Sequence, residues 1–225
     1  MTQLLEWGTA AVTLEGQSES GDRALVEPFE GGALVAAIDG VGHGGEAAAA
    51  AEAAVKVLRE HPGQPLPVLL QRCHEALKYT RGAVISLASF HAADSTMSWI
   101  GVGNVEGVLL RPKLPRPTPA LAPGPAESPD WRAAEGAGSV SRPAENVLLM
   151  SGLVGFHLPN LRPSAITVFP GDLLIFATDG IRPDFSRETA PNEDPRRIAE
   201  RICARHRKGG DDALVLVARY LGPRA

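Results

Sequence analysis

The sequence predicts an α+β fold, a core of two antiparallel sheets with helices on the outside, and three observations predict it. Short apolar strands, bounded by tight Gly, Asp and Asn turns, occupy both the first and last parts of the chain. The few stretches with helical periodicity do not alternate with these strands as a parallel sheet requires. Hydrophobic residues make up 44% of 225 residues and charged ones 21%, a balance that suits one globular domain with a continuous core.

Taken in order, residues 5–14, 23–27 and 33–38 read as strands. Two helices follow. The first, 46–60, is rich in Ala and Glu; the second carries Pro67 in its first turn, where its missing N–H costs nothing, and ends near Tyr79. Strands 83–90, 97–102 and 105–110 form a meander, turned by Ala93-Asp94-Ser95 and Gly103-Asn104. From Pro112 to Pro143 the chain holds eight prolines, many small residues and almost no aliphatic periodicity, the pattern of an extended or disordered insertion that interrupts the domain. Strands resume at 147–150, 165–169 and 173–177, the last two joined by Pro170-Gly171-Asp172. A helix over 195–208, capped by Asp194 and stopped by Gly209, leads into a closing strand over 213–217.

Composition narrows the function classes. A net charge of −4 argues against a general binder of nucleic acid or anionic membrane. Apolar runs break well before the ~18 residues that span a bilayer, and Met1-Thr2-Gln3-Leu4 lacks the basic start of a signal peptide, so the chain reads as cytoplasmic. Cys73 and Cys203 fall on apolar helix faces and read as reduced core thiols rather than a disulfide or nucleophiles.

The chemistry lies in acidic turns. Asp39-Gly40-Val41-Gly42-His43-Gly44 follows one buried run, Thr178-Asp179-Gly180 follows another, and Gly209-Gly210-Asp211-Asp212 opens the last strand; Asp22 follows Ser20-Gly21. Carboxylates gathered at strand ends repel one another unless a cation sits between them, and hard divalent ions such as Mg²⁺ and Mn²⁺ prefer oxygen ligands. One such Asp-Gly turn alone means little, since the dipeptide is common in turns; the set of four with these flanks is specific. Gly40 to Gly45 also matches G-x-G-x-x-G, but Asp39 would set a negative charge against a pyrophosphate. The ribose-binding acid expected about 20 residues on would also fall at a helix end instead of a strand end.

In these motifs the chain resembles the PPM-type metal-dependent protein serine/threonine phosphatases, in their SpoIIE-like branch. Ser20-Gly21-Asp22 is similar to the first family motif, Asp39 to Gly44 to the second, Gly171-Asp172-Leu173 through Asp179-Gly180 to the late one, and Asp211-Asp212 to the last. The stretches Gly101 to Leu109 and Gly152 to Pro159 resemble the stressosome phosphatases in particular. The resemblance implies an α-β-β-α sandwich with two Mn²⁺ or Mg²⁺ ions in a cleft at one end. It implies that Asp39 bridges both ions, that the Gly40 carbonyl binds one, that Asp179 and Asp211 hold the other, and that Asp22 lies opposite. Asp212 is the one-residue alternative to Asp211. Two such ions acidify a shared water and offset phosphoryl charge, so hydroxide attack needs no protein nucleophile.

There are two departures from the family pattern. Many members carry a histidine directly after the Asp-Gly of the second motif as a proton donor to the leaving alkoxide; here that position is Val41, and His43 stands two residues on, either as a donor through water or as a residue that orders the turn. Many relatives outside this branch place a phosphate-clamping arginine before the first motif, and residues 15–21 contain none; Arg23 follows Asp22 but points to the opposite strand face. The other five histidines, His61, His74, His91, His157 and His206, show no ligand spacing. The resemblance implies a phosphatase acting on phosphorylated STAS-domain proteins of a stressosome or anti-anti-sigma pathway. The competing class is a non-catalytic adaptor that keeps the fold and binds a partner through its proline-rich insertion.

Overall fold

The computed structural model describes residues 3–111, 144–188 and 193–223. The insertion predicted at 112–143 lies outside the described residues. Strands β1 (Leu5–Val12), β2 (Asp22–Phe29) and β3 (Gly32–Gly40) precede helices α1 (Gly45–Glu60) and α2 (Leu66–Leu77). Strands β4 (Ala83–His91), β5 (Thr96–Val102) and β6 (Glu106–Leu110) form the predicted meander. After the insertion come β7 (Ala144–Asn146), β8 (Leu149–Met150), β9 (Ser164–Thr167), β10 (Leu173–Ala177), α3 (Pro195–His206) and β11 (Ala213–Tyr220).

One sheet has the order β1-β11-β10-β6-β7; the other runs β2-β3-β4-β5-β8, with β9 also pairing β5. Every pairing is antiparallel except β5 with β8. The predicted strand over 147–150 is corrected here. The chain switches sheets within it: β7 pairs β6 in one sheet, Val147 and Leu148 cross over, and β8 adds to the other. A crossover that short yields only a two-residue parallel edge, which alternation of side chains cannot reveal.

Alternation along each strand builds three apolar layers. In β3, Leu34, Ala36 and Ile38 pack under α1 and α2, whereas Ala33, Val35 and Ala37 face the other sheet. In β11, Ala213, Val215 and Val217 pack under α3, whereas Leu214, Leu216, Ala218 and Tyr220 face inward. Both strands are almost wholly buried, and each fully buried Leu or Ile contributes about 1.5–3 kcal/mol. The helices cover the outer faces. α1 presents Ala47, Ala48, Ala50, Ala51 and Ala54, small enough to bring its backbone against β3.

Asp194 caps α3 as predicted, its carboxylate accepting from Arg196 N at 2.9 Å and Arg197 N at 3.2 Å. The helix ends at His206, two residues before the expected point, because Arg207 turns extended and pairs with Ile181; Gly209 serves the following turn with a φ of +83°. Both cysteines are buried free thiols, and burial pushes Cys73 up to about 12. Among the described residues no helix is long and apolar enough to cross a membrane.

Candidate metal centre

Extending the inward-facing rows by one step leads out of the apolar core into acid. Asp39 continues Ala33, Val35 and Ala37; Asp22 continues Ala24 and Val26; Asp212 continues Leu214 and Leu216; Thr178 continues Leu174 and Phe176. Asp22 and Asp39 are direct cross-strand partners, so their side chains share one face. The two sheets meet at this end through the Thr178 hydroxyl, which donates to Asp22 Oδ2 at 2.8 Å and accepts from Leu214 N at 2.8 Å.

The Asp-Gly pairing follows from close approach. A Cβ on Gly40 would lie 2.1 Å from the Ala47 carbonyl oxygen of α1, and one on Gly180 would lie 1.9 Å from the Asp212 carbonyl oxygen. Each acid therefore stands where two backbone segments meet with no room for a side chain behind it.

The neighbours Asp211 and Asp212 have different surroundings. Asp212 is buried and its two oxygens accept from Leu14 N and Gly21 N, both at 2.7 Å, so this carboxylate ties the end of β1 and the start of β2 to β11. Asp211 is half-buried and accepts from Asp212 N at 2.8 Å. Asp179 is half-buried too: Asn104 Nδ2 donates to its Oδ2 at 2.8 Å, and Lys208 Nζ donates to its backbone carbonyl at 2.6 Å. Sequence reasoning placed Asn104 in a turn within the Gly101 to Leu109 stretch and Lys208 at a helix end, and gave neither a role at the site. Neither residue carries a recognisable motif of its own.

Electrostatics binds the five acids into one cluster. Burial pushes Asp39 up to about 8, with repulsion from Asp22, Asp179, Asp211 and Asp212 adding to it. Asp22 is pushed up to about 7, again by burial first; the Thr178 hydrogen bond opposes this, and Asp212, Asp179 and Asp211 reinforce it. Among the described residues no three acidic, His or Cys side chains already stand at metal-ligand spacing. The donor set is nonetheless all oxygen and strongly negative, which fits hard divalent cations better than zinc or copper. A bound cation would oppose both the burial and the repulsion that raise Asp22 and Asp39.

His43 is exposed, and among the described residues its side chain makes no hydrogen bond, so nothing in the structure gives it a turn-ordering role. Arg23 points away from the acids as expected: its Nε pairs with Glu52 Oε1 of α1 at 2.7 Å. The remaining histidines stand apart from the cluster; His206, for instance, is buried beside Asp184.

A cavity of about 760 Å³ lies at the opposite end of the sandwich, lined by Leu4, Trp7, Pro28, Phe29 and Gly222 among others. It shares no residue with the acidic cluster.

The architecture has known counterparts. A solved structure described as "The bacterial stressosome: a modular system that has been adapted to control secondary messenger signaling" superposes with a TM-score of 0.76 at 26% identity, over 96% of this chain and 100% of that one. RsbX in complex with magnesium superposes with a TM-score of 0.76 at 18% identity, over 98% and 97%. The PP2C phosphatase domain of SpoIIE from Bacillus subtilis gives 0.66 at 18%, over 98% and 64%. This chain has the PPM phosphatase fold. Among curated proteins, the phosphoserine phosphatase RsbX of Bacillus subtilis (strain 168) is 26% identical over 98 residues, 44% of this chain. That alignment spans 49% of RsbX, about half its length. No family model matches the chain. The expected two-sheet sandwich and the resemblance to RsbX-like phosphatases are both borne out.

Proposed function

We propose that this protein is a metal-dependent phosphoserine/phosphothreonine protein phosphatase. The observation that carries this reading is the five-carboxylate cluster at one end of the sandwich, mutually repelling and made only of oxygen donors. Asp39, the Gly40 carbonyl, Asp179 and Asp211 would hold two Mg²⁺ or Mn²⁺ ions, with Asp22 on the far side. When bound, such a pair acidifies water and offsets charge on a phosphoryl group during in-line displacement. The chain's own residues supply the frame. Asp212, committed to Leu14 N and Gly21 N, fixes the strands that carry Asp22 and Asp211. Asn104 orients Asp179, and Thr178 holds Asp22 across the sheets. This division of labour supports Asp211 over Asp212 as the ligand. Exposed in the turn that follows Asp39, His43 is the candidate donor to the leaving alkoxide.

Its RsbX-like character supports a phosphorylated STAS-domain protein of a stress-signalling assembly as the substrate. An acidic chain has little electrostatic pull on acidic phosphopeptides, so selectivity would come from docking to a folded partner. The test has two arms. p-Nitrophenyl phosphate hydrolysis should require Mn²⁺ or Mg²⁺ and vanish with EDTA; calorimetry showing no Mn²⁺ binding would favour an adaptor instead. A phosphorylated STAS domain should then be dephosphorylated faster than a peptide cut from the same site, and equal rates would remove the docking argument.

A further inference from the structure

Five acids at one site oppose an incoming phosphoryl group until cations are bound, so a basic side chain facing the mouth would add to the phosphoryl binding that the metal pair would supply. Residues 15–21 supply none. The structure offers several basic residues nearby, and most are committed. Arg23 is held on the outer face by Glu52 Oε1 and by the carbonyls of Ser20 and Asp22, at 2.6–2.9 Å. Arg81 packs over Gly42 but is ion-paired with Glu46 of α1. Arg182 donates to the Arg205 carbonyl at 2.6 Å and lies 4.0 Å from Asp184. Arg207 is half-buried, with its charge beside Cys203 of α3.

Lys208 differs from Arg23, Arg81 and Arg182 in its lack of a carboxylate partner among the described residues, and from Arg207, whose buried Nε has no hydrogen-bond partner, in its exposure. Its backbone N–H donates to the Gly180 carbonyl at 2.8 Å, which fastens the residue to the Asp179-Gly180 turn. Its Nζ sits 2.6 Å from the Asp179 carbonyl oxygen, at the rim of the cluster, and its charge also reaches Glu106 at the start of β6. The side chain is exposed, and among the described residues no carboxylate lies within ion-pair distance of Nζ. One neutral carbonyl uses one of three ammonium protons. The flexible stem can swing the other two onto phosphoryl oxygens without breaking an ion pair, and a lysine serves such a group as a point charge.

We propose that Lys208 Nζ binds the substrate phosphoryl group at the mouth of the acidic cluster, as the cation this chain provides for that task. The proposal rests on the phosphatase reading. A purely structural lysine, needed only to brace the Asp179 turn, would behave differently in the following test.

Lys208→Met and Lys208→Arg are compared with the unaltered protein. The measurements are Mn²⁺ binding by calorimetry, thermal midpoint, KM and kcat for p-nitrophenyl phosphate, and inhibition by inorganic phosphate of the Mn²⁺-loaded protein. Lys208→Met should weaken phosphate inhibition and raise KM by about tenfold, the loss of one charge-assisted hydrogen bond. Mn²⁺ affinity and thermal midpoint should stay unchanged, and Lys208→Arg should restore most of the phosphate binding. Unchanged phosphate inhibition in Lys208→Met, or a loss that tracks weakened Mn²⁺ binding and a lowered midpoint, overturns the proposal while leaving the phosphatase reading intact. An unaltered protein that binds Mn²⁺ but hydrolyses no phosphomonoester overturns both.

Discussion

The two ends of the sandwich are built from the same strands and finish in opposite ways. At one end the inward rows of β2, β3, β10 and β11 run out into Asp22, Asp39, Thr178 and Asp212. At the other end the same four strands run out toward Phe29, Gly32, the turn before β10 and Gly222, and Phe29, Gly32 and Gly222 line an apolar cavity. The backbone geometry is shared and only side-chain chemistry differs. One end leaves apolar surface in a hollow. The other buries carboxylates whose raised proton affinity records how poorly water and dipoles alone support them. Such a site is held in place by the core and destabilised by its own charge, a combination that favours a bound cation.

The comparison breaks most sharply if the acidic end can lose an acid without consequence. Asp39→Ala removes the carboxylate proposed to bridge both ions. Metal-dependent hydrolysis should fall by roughly a hundredfold or more while the fold persists, because the β3 core up to Ile38 is untouched. Steady-state kinetics at saturating Mn²⁺, with circular dichroism as the fold control, measures this. Activity within a few-fold of the parent would end the metal-centre assignment.

A second test separates neighbours within the acidic end. Asp212→Ala strands two backbone N–H groups, Leu14 N and Gly21 N, and should destabilise the protein by about 2–4 kcal/mol. Asp211→Ala removes a half-buried carboxylate whose one described partner is the next N–H, and should weaken Mn²⁺ binding with little loss of stability. Urea unfolding in EDTA alongside Mn²⁺ calorimetry distinguishes them. If the two variants exchange behaviours, the roles of the two acids are reversed.

Much of this was legible in the sequence because it depends on local pattern. Short apolar runs bounded by turns placed β2, β3, β4, β10 and β11, and an acid directly after such a run marks a strand end. Asp194 before Pro195 announced its cap. Distances between chain-remote groups were not legible. Nothing local says that Asp212 will bond Gly21 N, 191 residues away, or that Asn104 from the turn between β5 and β6 and Lys208 from the segment after α3 will converge on Asp179. The sheet switch between β7 and β8 was hidden for the same reason, since partner choice depends on which edge is free.

The charge cost of the acidic end can be read from stability alone. Asp39 takes its proton at about 8 in the fold against 3.8 for an unperturbed carboxyl, so between those values the folded state binds more protons than the unfolded one. Stability from this group is therefore full below the lower value and is lost as pH rises through the higher one. In metal-free protein, Asp39→Asn should melt slightly above the parent near about pH 5 and by a clearly larger margin above it near about pH 9. Scanning calorimetry in EDTA tests the sign, and an equal shift at both pH values would mean that packing, not charge, sets the difference.

The smallest effect is expected where the insertion leaves the domain. Leu110 and Ala144 are cross-strand partners in β6 and β7, so the chain positions that flank residues 112–143 already stand side by side. They emerge near the cavity end: Arg111 reaches Asp172 at 3.0 Å and Glu145, on the side of the sheet away from Asp179. A short Gly-Ser linker in place of residues 112–143 should close this gap without strain. Turnover of p-nitrophenyl phosphate should then stay within about twofold of the parent, because no element of the acidic end depends on that junction. A protein that no longer folds would show that the segment belongs to the core. Unchanged small-substrate turnover with slower action on a phosphorylated protein would instead make the cavity end a docking end, and the two ends of the sandwich would divide recognition from chemistry.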